Sequence, residues 1–361
     1  MDSGHYLAVM HLEAPTEVVV GALGAQTLPA GDYVYIGSAL RGLSARLARH
    51  RRLDKRHRWH VDALRAAARW VEGRILPGAT GRECDLAATV AALPGASSPV
   101  PGFGASDCRC PGHLVCFADG APPLPGELDP AEGIPATVLA RDNRFIARVR
   151  LADGAEARAY LPNTARLIGV LEPGRAGLLR LNADPSRKTR YTLDRVRVDG
   201  AWVALAAGVA EELVDAWLSA GRPLPELGGV TSFEREVRHG RHRLDYRLTL
   251  ADGRSAWLEV KSLSIADGDD ALLSRTPSSR GAKHLTLLGD FAAAGETAAV
   301  AFVIQRRARR LLLEDGADPG WLAAVRDARA RGVHVLAFES RVTPAGAWLR
   351  RPIPVVDRDD A

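Results

Sequence analysis

Residues 242–265 read HRLDYRLTLADGRSAWLEVKSLSI, two alternating runs split by a turn. The length of that turn decides what the hairpin can do. Alternation puts Glu259 and Lys261 on one face of the second strand. A two-residue Asp252-Gly253 loop would pair Asp245 with Val260 and send the two carboxylates to opposite faces. A three-residue loop Ala251-Asp252-Gly253, with Gly253 left-handed, sets Asp245 opposite Glu259 at a Cβ separation of about 4.5–5.5 Å. In that second register two carboxylates and an ammonium converge, which is a hard-cation site with a point charge alongside for a water or a phosphate.

Around the hairpin, helical and strand patterns alternate: a helix at 208–220, strands near 298–305 and 333–339, and a helix at 319–331. This predicts an α/β domain over 206–361 with a mixed sheet. Downstream of the hairpin, SSRGAKHLTLL supplies Arg280, Lys283 and His284, which read as a basic loop for a phosphate strand. Only four of the 48 Lys and Arg residues are lysine, so Lys261 and Lys283 stand where a titratable amine or a compact charge is wanted.

Upstream, residues 136–205 alternate apolar and polar, with turns at Asp153-Gly154, Pro173-Gly174 and Asp199-Gly200. A five-strand barrel or sandwich is expected. In its first strand Phe145, Ala147, Val149 and Leu151 share one face, leaving Arg144, Arg148 and Arg150 on the other, either as a ladder for a nucleic-acid backbone or as a solvated outer face. Pro162-Asn163-Thr164 reads as a barrel loop that touches nucleic acid or as an Asx-turn. Before the barrel, residues 119–135 are rich in proline, glycine and acid and read as a linker.

Residues 1–118 predict a small α/β unit. GDYVYIGSA at 31–39 ends a strand, and a helix from Leu43 carries Arg46 and His50 on one face. A further helix covers His60–Arg69, and a third, over about Arg82–Leu93, carries Glu83. A carboxylate can hold Mg²⁺ or Mn²⁺, a phenol or imidazole can take a proton from water, and arginine can neutralise charge on phosphate. Cys108, Cys110 and His113, joined by Cys84, offer soft ligands for Zn²⁺, although the preferred reading leaves them as metal-free thiols.

Composition is that of a folded protein, with 47% apolar and 25% charged residues across 361 positions. No run approaches the ~20 apolar residues of a membrane span, and the N-terminus lacks a secretory pattern, so a cytoplasmic protein is expected. A net charge of +5 suits an anionic partner such as DNA or RNA. The sequence leaves oligomeric state open.

Two resemblances sharpen these expectations. GHY at 4–6, YIG at 35–37, and Arg46 and His50 in SALRGLSARLARH resemble the GIY-YIG nuclease family. RWHVDAL and SDCRCPGH are similar to its stand-alone prokaryotic branch. That resemblance implies Tyr6 or His50 acting on water, Tyr35 positioning, Arg46 on phosphate and Glu83 on metal. Asp245, Glu259 and Lys261 resemble a PD-(D/E)xK nuclease core. ATVLARDNRF, ADGAEARAYLPNTARL, PELGG, EVKSLSI and SSRGAKHLTLL are together similar to the sugar fermentation stimulation protein A family, which implies an OB-like barrel joined to a nuclease-type domain. Two departures point to an alternative, a non-catalytic DNA-binding protein: Ala216 stands where the first helix is expected to add a carboxylate, and Ser279 where an acid precedes Arg-Gly.

Overall fold

The computed structural model describes residues 2–358 except 80, 164–166, 168, 185, 207, 274–278 and 315–316, together with the side chains of Ser279 and Arg280. Arg280, expected on nucleic acid, and Ser279 therefore carry no side-chain description. The chain divides into two compact units, Met1–Ile134 with Thr343–Gly346, and Pro135–Val342 with Ala347–Ala361.

The first unit is a six-stranded sheet built on β1 (Gly4–Leu12), β2 (Gly31–Ala39), β3 (Arg69–Pro77), β4 (Ala96–Ser97), β5 (Leu114–Phe117) and β6 (Glu127–Leu128), in the order β4-β5-β2-β1-β3-β6. Helices α1 (Leu43–Arg51), α2 (His60–Ala67) and α3 (Glu83–Ala91) accompany it. β1 is central, and Tyr6, Ala8 and Met10 point to the core that also holds Leu43, Leu47 and Leu64. Gly37 lies opposite Tyr6 in the antiparallel pair, and a Cβ there would sit 2.3 Å from the Tyr6 hydroxyl. The YIG glycine is thus the floor on which the phenol rests.

Two expectations are corrected here. The second helix stops at Ala67, and RWVEGRILP forms β3 rather than a helical end, because Trp70, Val71, Gly73 and Ile75 fit a strand flanking β1. The expected linker is largely folded. β6 pairs with β3, and Pro130–Glu132 forms a 3₁₀ turn whose Glu132 carboxylate is buried, accepting from Trp70 Nε1 (2.8 Å), the Gly73 amide (2.9 Å) and Arg51 Nη2 (2.5 Å). An isolated acid could not stay there; three donors hold it.

In the second unit, β7 (Ile134–Asn143), β8 (Ile146–Leu151), β9 (Glu156–Tyr160), β10 (Ala176–Leu181), β11 (Tyr191–Val198) and β12 (Ala201–Ala204) run in the order β9-β8-β7-β10-β11-β12. A parallel pairing of β9 with β11 brings the sheet back on itself, leaving Val138, Ala147, Val149, Ala159, Leu179 and Leu193 inside. Arg148 and Arg150 lie on the second strand of this barrel, not the first, and Arg144 lies in the turn before it. Phe145 sits in the turn before β8 and is exposed rather than facing inward.

Among the remaining residues a six-stranded mixed sheet is made by β13 (Val230–His239), β14 (His242–Leu250), β15 (Ser255–Leu263), β16 (Thr297–Ile304), β17 (His334–Val342) and β18 (Ala347–Ile353), paired in that order, beside a smaller four-stranded sheet of Ala266–Asp267, Asp270–Leu272, Arg310–Leu313 and Val355–Asp357. β15, β16 and β17 are parallel, and the outer pairings are antiparallel. Helix α4 (Val209–Ser219) covers one face through Leu213, Val214 and Trp217; α5 (Ser279–Ala293) and α6 (Pro319–Ala330) cover the other through Leu285, Leu288, Trp321 and Val325. The expected basic loop is corrected to the first two turns of α5. Leu285, Leu288 and Phe291 recur at helical spacing and are buried.

Candidate carboxylate centre and tyrosine cluster

The β14–β15 ladder pairs Tyr246 with Leu258 and Thr249 with Ser255, and Gly253 is left-handed at φ +84°. This is the three-residue loop, and one further step sets Asp245 opposite Glu259. The ladder stops short of that step because the Asp245 side chain takes over: its Oδ2 accepts the Val260 amide at 2.8 Å. Glu259 is almost wholly buried. Its Oε1 accepts from Lys261 Nζ and from His284 Nδ1, the latter at 2.5 Å.

Sequence reasoning missed one member of this group. Glu211, on the first turn of α4, feels the charges of Asp245, Lys261 and Glu259. Glu212 is exposed, and Asp215 is engaged elsewhere, accepting from the Tyr246 hydroxyl (2.7 Å) and pairing with Arg235 (2.7 Å). Ala216 itself offers no carboxylate; the helix carries one five residues earlier, at Glu211. The sequence offered three acids on this helix, at 211, 212 and 215, with nothing in their spacing to choose among them.

Burial pushes the carboxyls of Glu211 and Asp245 above the usual range, and the Glu259 charge pushes both further. Burial also acts to raise Glu259, but His284 and Lys261 outweigh it and hold that carboxyl low. Glu211 Oε2 and Glu259 Oε2 are buried with no hydrogen-bond partner among the described residues. Orphaned acceptor oxygens beside mutually repelling carboxylates are what a hard dication would satisfy, so the residues fit Mg²⁺, Mn²⁺ or Ca²⁺.

The expected nucleic-acid contacts fare unevenly. Lys283 is exposed one residue from His284, whereas His284 is buried against Glu259 and acts as a carboxylate partner. Arg144, Arg148 and Arg150 are exposed, but Arg148 lies 3.3 Å from Asp142 and Arg150 3.3 Å from Glu156. The Asn163 amide donates to Leu205 O at 2.7 Å, a barrel-closing contact in place of a free side chain; Thr164 lies outside the described residues.

In the first unit the structure gathers Tyr6, Tyr35 and His50. Ring centroids are 6.3 Å apart for the two tyrosines, 5.4 Å for Tyr6–His50 and 5.9 Å for Tyr35–His50. The Tyr6 hydroxyl lies 2.9 Å from His50 Nε2. Burial raises the Tyr6 phenol well above its ordinary value and pushes Tyr35 up to about 12, so the phenol is the donor and Nε2 the acceptor. The imidazole proton then sits on Nδ1, 3.9 Å from Asp62, and burial keeps this histidine neutral by lowering its pKa.

Arg46 stands over the Trp59 ring at 4.9 Å, and both its charge and that of Glu83 act on the two phenols. Tyr33, by contrast, donates to Pro29 O at 2.6 Å and belongs to the core. Tyr6, Tyr35 and His50 are buried, while Arg46 and Glu83 are partly exposed. A cavity of about 840 Å³ reaches Glu83, His5 and Ser38.

Asp62 is the second residue that sequence reasoning missed. Fully buried, it accepts from Arg49 (3.1 Å to each oxygen) and from the amides of Arg58 (2.9 Å) and Trp59 (3.1 Å), and lies 3.0 Å from Lys55 Nζ. Burial would raise its carboxyl, but these partners together hold it far below the usual range. It caps α2 and backs His50 at once.

Comparison with known proteins follows this division. Residues 139–205 match the SfsA N-terminal OB domain, and 208–346 the sugar fermentation stimulation protein RE domain. The sugar fermentation stimulation protein homolog of Geobacter metallireducens is 35% identical over 225 residues, 62% of this chain and 96% of that protein. The chain belongs to the sugar fermentation stimulation protein family. A homolog from Thioalkalivibrio sulfidiphilus is 37% identical over 232 residues, 63% of this chain and 97% of its own length. The solved structure of Pyrococcus furiosus SfsA in complex with Ca²⁺ is 27% identical with a TM-score of 0.55, covering 62% of this chain and 95% of that one. In the family's terms the first unit is an addition: residues 5–125 match a separate domain of unknown function, DUF123. No helix among the described residues is long and apolar enough to cross a membrane.

Proposed function

We propose that this chain is a metal-dependent phosphodiesterase acting on DNA or RNA, with its principal site at Glu211, Asp245, Glu259 and Lys261. The observation that carries the reading is the pair of buried, unpartnered oxygens on Glu211 and Glu259 beside Asp245. These three carboxylates would hold Mg²⁺ or Mn²⁺, which supplies an activated water and neutralises charge on the phosphate. Lys261 Nζ presents a compact cation at the same face, and His284 orients Glu259 through the oxygen it shares with Lys261. Lys283 and the exposed faces of Arg144, Arg148 and Arg150 supply salt-sensitive attraction for the backbone. We further read the first unit as a GIY-YIG nuclease-type module in which Arg46 and Glu83 meet the phosphate and metal, while Tyr6, Tyr35 and His50 form the proton-handling cluster behind them. Binding without hydrolysis is the competing reading; the carboxylate on α4 speaks against it.

The test is cleavage of labelled DNA and RNA by the purified chain with Mn²⁺ or Mg²⁺. Glu259→Gln is expected to abolish the activity of the second unit while leaving salt-sensitive filter binding intact. Equal cleavage by the wild type and a Glu259→Gln, Glu83→Gln double variant would sink the reading.

Metal binding should also carry a pH signature. Glu211 and Asp245 have folded-state pKa values raised above the ordinary carboxylate range, so their contribution to metal-free stability is present below about pH 4 and is lost as pH rises through the raised values. A dication reverses that loss by favouring the ionised forms. Ca²⁺ at about 100 times its dissociation constant should stabilise by about 2.7 kcal/mol near neutrality. Thermal shift at about pH 5 should show a smaller Ca²⁺ effect than at about pH 7.5. An effect that does not change with pH would contradict the assignment.

A further inference from the structure

Cys84, Cys108, Cys110 and His113 each offer one ligand atom, and all four atoms lie within 4.8 Å of one another. Cys84 stands in the first turn of α3; the other three come from the knuckle Cys108-Arg109-Cys110-Pro111-Gly112-His113, 24 residues later. The knuckle is folded by backbone contacts before any metal is invoked. The Gly102 amide donates to Pro111 O at 2.7 Å, and the His113 amide to Phe103 O at 2.7 Å. Sγ of Cys110 lies 2.9 Å from both Cys108 Sγ and His113 Nε2, and Cys108 Sγ lies 3.6 Å from that nitrogen. A tetrahedron with Zn–S near 2.3 Å and Zn–N near 2.0–2.1 Å has edges of roughly 3.5–3.8 Å, so an ion would part the closest pairs by under ~1 Å. The 2.9 Å sulfur separation is well beyond a disulfide bond of about 2.04 Å.

We infer that these four residues form a closed, structural zinc site that fixes the Glu83 carboxylate through His113. Three thiolates and an imidazole are soft to intermediate donors; they suit Zn²⁺ and reject the oxygen-seeking Mg²⁺, Mn²⁺ and Ca²⁺. Arg82 and Arg109 line the same cavity as the three sulfurs and offset the net negative charge of a three-thiolate zinc centre. The orienting group is also present. His113 Nε2 faces the sulfurs, while its Nδ1 lies 3.1 Å from Glu83 Oε1, the carboxylate–histidine–metal arrangement that fixes tautomer and ring orientation. Glu83 precedes Cys84 directly, so one metal would pin the start of α3, the knuckle and the acid whose charge acts on Tyr6 and Tyr35. This site is independent of the carboxylate centre in the second unit and takes a different class of metal.

The whole chain, produced with zinc in the medium, should carry a single zinc by elemental mass spectrometry. Its thiols should resist a disulfide reagent until an organomercurial releases the metal. Replacement by Co²⁺ should give the thiolate charge-transfer and intense d–d bands of a tetrahedral sulfur site. Cys110→Ser should lose the zinc. Glu83→Gln should keep it but release it to chelator about 10–100-fold more readily, the usual effect of removing an orienting carboxylate. Should Cys110→Ser fail to fold, the cobalt spectrum of the unaltered chain decides alone. Zinc-free protein with freely reactive thiols and no cobalt bands overturns the site. Unchanged chelator sensitivity in Glu83→Gln overturns the link between Glu83 and the metal through His113.

Discussion

Glu211→Gln is expected to lower metal-dependent phosphodiester cleavage by several kcal/mol of transition-state stabilisation, about 10²–10³-fold, while raising the melting temperature of the metal-free chain. The two signs come from one cause. Glu211, Asp245 and Glu259 crowd negative charge into a buried corner, and the first two are pushed up by burial and by the charge of Glu259. Removing one charge relieves that repulsion and simultaneously withdraws an oxygen from the cation. Glu212→Gln, at an exposed neighbouring position, should change neither quantity. Cleavage assays with Mn²⁺ and paired melting curves in chelator would check both effects. Loss of activity together with loss of metal-free stability would mean that Glu211 is a structural residue.

Asp62→Ala is expected to cost the first unit about 3–5 kcal/mol, the loss typical of breaking a buried ion pair from one side. Lys55, almost fully buried, and Arg49 would be left facing each other with no anion, and the amides of Arg58 and Trp59 that lead into α2 would lose their acceptor. His50 would also lose the carboxylate behind its Nδ1. Hydrogen exchange across residues 43–67 should accelerate strongly, and Asp62→Asn should restore only part of the protection. Unchanged exchange in Asp62→Ala would remove this carboxylate from the account of the unit.

The legibility of the chain follows from what each residue depends on. The register that sets Asp245 opposite Glu259 was one of two that the sequence allowed, because Gly253 suits either loop; the ladder and the left-handed Gly253 select the three-residue one. The mixed sheet was readable where apolar runs were long. Glu211 was not, because the face a helix turns toward a sheet is fixed by Leu213, Val214 and Trp217 finding their partners, and 211, 212 and 215 are all acidic. The helical start of α5 was hidden by its basic residues, which suggest a loop until Leu285, Leu288 and Phe291 are counted together. The four soft donors could be named from the sequence, but that Cys84, 24 residues before Cys108, lies with the other three is set by the fold. Asp62 differs in being local: its partners Arg49, His50, Lys55, Arg58 and Trp59 all lie within the thirteen residues before it, and the folding of that segment brings them to one carboxylate.

The Glu132 carboxylate carries a practical warning for anyone separating the two halves. A fragment stopped at residue 118 would keep the Trp70 indole, the Gly73 amide and the Arg51 guanidinium while discarding the acceptor they share. Such a piece would expose the flank of β3, an unpaired edge inviting strand-to-strand clumping, and its insolubility would then be mistaken for a property of the intact module.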